Sequence, residues 1–324
     1  YYFYLSTLEH KKNVDFSKNP CYNKKKIKNK GIIMEITIKT KIRTIKTDDF
    51  FKKFGNNEIR LDIPKDVLDE INKYTRIEFR YKDNESLFKL LLLDNVLERN
   101  NLLVDYYFWY LPYSRMDRIK EDGTAFSLEI IANLINNLKS ANKKYTLDAH
   151  SDVSLALVRN IKELGKDFSF HNEAIKRILK SEDFDEKTIL VFPDGGARKR
   201  FENKVDLSKV KNIITCDKSR DFQTGQIKEI IANFEKRENQ SDDFENIFVI
   251  DDLCSYGGTF VGVKEAINKI IKDNKAKYNL IITHCEDVIL KGQVLNEYEK
   301  VFTTDSLLTI THPKIDITNL TNLI

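Results

Sequence analysis

The stretch FVIDDLCSYGGTF, from Phe248 to Phe260, holds a short apolar run, two carboxylates, small residues, a tyrosine and two glycines. The run at 247–250 reads as a buried strand that delivers Asp251 and Asp252 to its carboxyl end. Gly257 and Gly258 let the backbone turn closely around a ligand, and Thr259 is placed to cap the helix that follows. Backbone N–H groups of such a turn, beside the positive end of a helix, make an anion cradle. The carboxylates suit ribose hydroxyls or a Mg²⁺-linked sugar, so a sugar phosphate satisfies both halves of the stretch. An ordinary strand-to-helix turn with acidic caps is the plainer alternative.

Outward from this stretch the chain alternates strands and helices, the pattern of parallel sheets covered on both faces. Residues 35–45 alternate as a strand, and RLDI (60–63) is another. SLFKLLLLDNVL (86–97) is apolar almost all round and predicts a buried helix. LVDYYFWYLPY (103–113) reads as a buried strand entering a loop, and SLEIIANLINNL (127–138) as a helix capped by Ser127. In the second half TILVF (188–192) runs into PDGGARKR, NIITC (212–216) into DKSRDFQTG, and NLIIT (279–283) into HCED. YTLDAH (145–150) does the same in the first half. In open α/β sheets ligands bind outside the carboxyl ends of the strands, and this many polar endings predict a shared site.

With 324 residues, 41% hydrophobic and 32% charged, the chain has the make-up of a soluble globular protein of two domains. Its four cysteines follow neither metal-ligand nor disulfide spacing, which suits a reducing cytoplasm. No apolar run approaches the roughly 20 residues that span a membrane. The formal charge of +4 is local: residues 1–33 carry eight lysines against Glu9 and Asp15, leaving the remainder slightly acidic. The chain therefore has no electrostatic footprint for nucleic acid. NKGII before Met34 can be encoded with a ribosome-binding AAAGGA, so residues 1–33 are expected to be a translated leader or a disordered tail. The expected division is 34–168 and 169–306, with 307–324 returning to the first domain.

The opening stretch resembles the phosphoribosyl-diphosphate loop shared by type I phosphoribosyltransferases and ribose-phosphate pyrophosphokinases. Other segments favour the second family. YLPYSRMDR (110–118) followed by GTAFSLEIIANLI (123–135) resembles its ATP-site segment, and FGNNE (54–58) its adenine-binding turn. TLDAHSD (146–152) resembles its metal- and phosphate-binding Asp-x-His, while FPDGGARKR (192–200) and CDKSRDFQTGQI (216–227) match two more segments in order. The resemblance implies two similar phosphoribosyltransferase-like α/β domains, each a mostly parallel sheet flanked by helices. It further implies transfer of the β,γ-diphosphoryl group of ATP to the anomeric hydroxyl of ribose 5-phosphate, with Mg²⁺ as cofactor, in a homo-oligomer.

Residue by residue, the resemblance gives Phe54, Asn56 and Glu58 to adenine, and Arg115 and His150 to ATP phosphates. His150 and Asp194 are expected at the metal, and Lys218, Arg220 and His150 at the transferred group, with Lys218 and Arg220 on a mobile loop that ends at Gly225. Asp194, Asp251, Asp252, Ser255, Tyr256, Gly257, Gly258 and Thr259 are expected to hold the ribose phosphate. His284 reads as a core or supporting residue.

The sequence departs from the pattern on the acceptor side. The family supplies another Asp and a Thr before the glycines, where Ser255 and Tyr256 stand; Met116 replaces a frequent glutamine. Divergent relatives are known among phage-borne NAD-salvage enzymes, some of which look built for ADP-ribose. The alternatives are therefore the same chemistry on ADP-ribose, a non-catalytic regulatory homologue, or a phosphoribosyltransferase. The last needs no ATP site and leaves FGNNE and SRMDR unexplained.

Overall fold

The computed structural model describes residues 35–119, 121–164, 174, 184–202, 204–205, 207–220, 227–272 and 275–322, without the side chains of residues 220, 227, 228 and 322. The expected leader and the expected boundary at 168 lie outside the described residues. Two sheets organise the chain. The first has the order β2–β1–β5–β6–β7–β8, formed by Thr44–Lys46, Ile36–Lys39, Arg76–Phe79, Val104–Phe108, Ala141–Leu147 and Ile161–Leu164. Strands β5 to β8 run parallel, and β1 pairs antiparallel with both β2 and β5.

The second sheet has seven strands in the order β11–β10–β9–β12–β13–β14–β15. They are Ile227–Arg237, Asn212–Arg220, Thr188–Phe192, Asn246–Cys254, Lys277–Cys285, Lys300–Thr304 and Ile315–Thr318. All neighbours are parallel except β10 and β11. A separate hairpin, β3 (Phe51–Lys53) and β4 (Ile59–Leu61), carries the FGNNE turn.

Burial on both faces explains the continuous apolar runs of the central strands. Ile189, Val191, Ile247 and Val249 point into one core, while Leu190, Phe192, Phe248 and Ile250 point into the other. Helix α6 (Gly258–Ile270) covers the first of these with Phe260, Val263, Ala266 and Ile267. Helix α5 (Gly195–Phe201) covers the second with Ala197 and Phe201.

Several boundaries differ from the sequence reading. Residues 35–45 form β1 and part of β2 with a turn between, because Thr40 Oγ1 accepts from Ile42 and Arg43 N–H and folds the chain back. Helix α2 (Asn84–Arg99) buries one face through Leu87, Leu90, Leu93 and Leu97 but leaves Phe88 exposed and pairs Lys89 with Glu35 and Glu85. Ser127 is the first residue of α3 (Ser127–Asn136), and Phe126 occupies the cap position without a side-chain cap. Strand β12 runs on to Cys254 and β10 to Arg220, each held by its neighbour beyond the apolar run.

A buried ionic network ties the end of the chain to the first sheet. Strand β15 belongs to the second sheet, and the next turn then packs Leu320 against Tyr107, Trp109 and Leu147. Arg80 reaches Asp305 Oδ2 at 3.1 Å and the Asp305 carbonyl at 3.0 Å. Glu78 is paired with Lys39 at 2.9 Å and accepts from Thr321 Oγ1 at 3.0 Å and Trp109 Nε1 at 3.3 Å. Removing one member strands a desolvated charge. Arg80→Ala is expected to lower unfolding free energy by about 3–5 kcal/mol, read by chemical denaturation. An exposed control, Lys65→Ala, should change it by less than about 0.5 kcal/mol.

Candidate active site

The carboxyl ends of β7 and β12 meet at a compact charged cluster. His150, just after β7, lies with Nδ1 2.6 Å from Asp252 Oδ2. The other Asp252 oxygen receives Arg200 Nη1 at 2.6 Å, and Arg200 Nη2 donates to the His150 carbonyl at 2.7 Å. Arg200 Nη1 also lies 3.3 Å from Asp251 Oδ1, which accepts the Asp252 N–H at 2.9 Å.

Two adjacent carboxylates in this setting respond unequally. Burial and the neighbouring Asp252 push the Asp251 carboxyl well above the usual range, with Arg200 opposing them. Burial acts in the same direction on Asp252, but the His150 hydrogen bond and the Arg200 charge outweigh it and hold that group below the usual range. One member of the pair is thus a firm anion and the other takes a proton readily, so a polyol or a cation can engage them without meeting two full negative charges.

A second layer lies beneath. Asp148, with a left-handed φ of 47°, is contacted by Lys204 Nζ and by the Thr283 hydroxyl. His284 is buried, with Nδ1 2.8 Å from Ser306 Oγ and Nε2 facing the carbonyls of Leu147 at 3.1 Å and Asp148 at 3.3 Å. It supports the end of β7, in keeping with the core role expected from the sequence. Burial lowers its basicity below the ordinary value of 6.5.

In the loop between β12 and α6 Gly257 has φ 83°, and a Cβ there would lie 2.0 Å from a Val294 methyl. The loop also packs against Gly292, where a Cβ would lie 1.8 Å from the Tyr256 carbonyl oxygen. Thr259 falls inside the first turn of α6 rather than capping it, and its hydroxyl receives Lys218 Nζ at 2.8 Å. Ser255 Oγ donates to Glu286 Oε2 at 2.7 Å. Tyr256 is 57% exposed and borders a cavity of about 840 Å³. Ile230, Val261 and Ala266 line that cavity, together with Lys269 and Lys291.

The structure thus brings His150, Asp251 and Asp252 together, and Lys218 reaches Thr259 in the first turn of α6. Asp194 caps α5 by accepting the Ala197 N–H at 2.9 Å. Asp251 and Asp252 lie inside β12 rather than after it, because pairing with β13 continues to Cys285. Lys218 and Arg220 lie on β10, paired with β11, not in a loop. The Arg220 side chain and residues 221–226, including Gly225, are outside the described residues. Arg115 is half exposed in the turn after β6, with Nη1 3.7 Å from Glu286. Phe54 and Asn56 stand exposed at the β3–β4 turn with Glu58, shaped by Phe54 N–H to the Glu58 carbonyl at 2.8 Å and by Asn57 at φ 68°. No hydrogen bond or ion pair joins these three side chains to the strand-end cluster among the described residues.

Arg200, Lys204 and Glu286 escaped the sequence reading. FPDGGARKR matches only as a segment, without roles for its basic residues, and the helical step separates them: Arg198 pairs with Glu235, Lys199 with Asp152, and Arg200 turns inward beside Phe201. That step relative to Ala197 and Phe201 was the available signal.

No family model matches the chain. A curated ribose-phosphate pyrophosphokinase of Sulfurisphaera tokodaii is 23% identical over 270 residues, covering 78% of this chain and 87% of the relative. One of Methanobrevibacter smithii is 25% identical over 262 residues, covering 76% and 80%. The crystal structure of phosphoribosylpyrophosphate synthetase from Mycobacterium smegmatis superposes with a TM-score of 0.66 at 16% identity, covering 84% of this chain and 86% of that one. The fold is therefore that of an α/β protein with two phosphoribosyltransferase-like halves. These similarities support a divergent relative of ribose-phosphate pyrophosphokinases.

His284 generates a stability test. A base whose folded pKa is depressed contributes stability that is present above its unfolded value and lost as pH falls. The melting temperature should therefore decline on acidification below about 6.5, and His284→Asn should flatten that part of the profile, measured by scanning calorimetry. An unchanged slope would place the titration elsewhere.

Proposed function

We propose that the protein transfers the β,γ-diphosphoryl group of ATP to the anomeric hydroxyl of ribose 5-phosphate, giving phosphoribosyl diphosphate and AMP. The observation that carries this reading is the His150–Asp252 contact, which joins the polar end of one sheet to that of the other. In the reaction the anomeric oxygen bonds to Pβ, the Pβ–O bond to the α-phosphate breaks, and the hydroxyl proton is lost to the medium. Asp251 and Asp252 accept hydrogen bonds from the ribose hydroxyls, with Arg200 fixing their orientation. Backbone N–H groups of 255–259, at the start of the 13-residue helix α6, cradle the 5′-phosphate.

Lys218 and Arg220 are assigned to charge that develops on the transferred group, and Arg115 and His150 to the ATP phosphates. Phe54, Asn56 and Glu58 are assigned to adenine, and the exposed position of their hairpin suits a nucleotide shared with a second copy of the chain. Among the described residues no group of three or more His, Cys, Asp or Glu side chains is set to hold a metal by itself. Mg²⁺ takes one or two protein ligands and completes its shell with water and phosphate. His150 and Asp194 would hold it, and bound Mg²⁺ would neutralise charge on the substrate phosphates.

A second reading, the same chemistry on ADP-ribose, is favoured by the cavity of about 840 Å³ beside Tyr256. Its aromatic edge and apolar wall suit an adenosine, with Lys269 and Lys291 as the candidate partners of the diphosphate beside Glu229 and Glu265, which also line it. The test is to incubate the protein with ATP, Mg²⁺ and either acceptor and quantify AMP. AMP with ribose 5-phosphate supports the first reading, and AMP with ADP-ribose alone supports the second. No AMP with either overturns both and favours a non-catalytic homologue. Lys218→Ala should lower kcat by about 10²–10³-fold.

A further inference from the structure

Glu286 lies just past β13, where its N–H donates to the Cys254 carbonyl at 2.9 Å and so aligns it with the start of the acceptor loop. Its neighbour Asp287 is fixed in turn, accepting the Thr309 N–H at 2.7 Å and the Thr309 hydroxyl. From this anchored position the Glu286 carboxylate faces two groups at once. One oxygen receives Ser255 Oγ at 2.7 Å, and the other lies 3.7 Å from Arg115 Nη1. Glu286 and Arg115 both line a cavity of about 520 Å³, together with Tyr110, Met116 and Ser306.

Both partners are donors that an anionic substrate would use. Resting on the reading above, Arg115 serves the ATP phosphates and Ser255 belongs to the loop for the acceptor phosphate. We propose that Glu286 is a positioning residue that occupies both donors until substrate arrives, and thereby couples ATP binding to acceptor binding. A triphosphate at Arg115 removes the carboxylate's cationic partner and sets like charge against it. Glu286 is 36% exposed at its side chain, so water is at hand to receive the displaced carboxylate. Its departure frees the Ser255 hydroxyl for the acceptor. By reciprocity, an acceptor phosphate that claims Ser255 loosens Glu286 from Arg115.

The arrangement also accounts for a hydroxyl at position 255. A carboxylate fixed in the loop could not withdraw from the phosphate, whereas one delivered from the neighbouring strand end can. The negative charge missing from the loop is present nearby, on a side chain with somewhere else to go.

The test compares wild type with Glu286→Gln by titration calorimetry, using Mg²⁺ with a non-hydrolysable ATP analogue and ribose 5-phosphate, each alone and each with the other saturating. Glutamine preserves size and the hydrogen bond from Ser255 while removing the charge. Wild type should bind each ligand about five-fold more tightly when the other is present, the low end of measured couplings. In Glu286→Gln each ligand alone should bind about three- to five-fold more tightly, the scale of an exposed ion pair. The coupling should then fall towards one.

A merely structural Glu286 would weaken both ligands or lower the melting temperature without touching the coupling. Undiminished coupling in Glu286→Gln overturns the inference while AMP formation by wild type leaves the functional reading intact. Absence of nucleotide binding by wild type overturns both.

Discussion

Two neighbouring carboxylates buried at the end of one strand require positive charge close by, and much of the site's geometry follows from that requirement. Asp252 meets it with an arginine from one helix and a histidine from the other sheet. Asp251 meets it only partly, and its affinity for a proton rises accordingly. The guanidinium of Arg200 also donates to the main chain at His150, so the charge that steadies the acidic pair is one of the links between the two sheets. An aliphatic side chain at position 200 would leave His150 as the charged partner of Asp252 and deprive Asp251 of its cationic neighbour.

The same economy appears at the far side of the junction, where Arg80, Glu78, Lys39 and Asp305 form a buried network around the final turn of the chain. Ion pairs of this kind add little net stability compared with apolar packing, but they tolerate few alternative arrangements. The two clusters differ in access. The one around Arg80 is largely buried, its arginine side chain 6% exposed, whereas the one around Asp252 opens towards solvent through His150, whose side chain is 32% exposed. Rigidity lies behind the site and adaptability in front of it.

The central strands of the second half and the polar residues near their ends, though not the order of the strands, were legible in the sequence because they rest on local patterns: apolar runs, glycines and adjacent carboxylates. Element lengths were less so. Polar residues such as Asp251 to Cys254 and Asp217 to Arg220 remain in strands because a neighbouring strand pairs with them, and no local signal reports the length of a partner. Arg200 and Glu286 were hidden for a related reason. Each acts on residues far along the chain, Arg200 on His150 and Asp252, Glu286 on Ser255 and Arg115. Contacts of that range are made by topology and leave no periodic trace.

The contact between Gly292 and the Tyr256 carbonyl bears on how such a site can diversify. The loop between β12 and α6 is cast against a second loop that follows the next strand, with Val294 filling the space beneath Gly257. A loop moulded this way is not a detachable module: transplanting 255–259 alone into a relative would set its backbone against a surface of the wrong shape. A substitution in 255–259 that alters its backbone path therefore calls for a matching change at Gly292 or Val294.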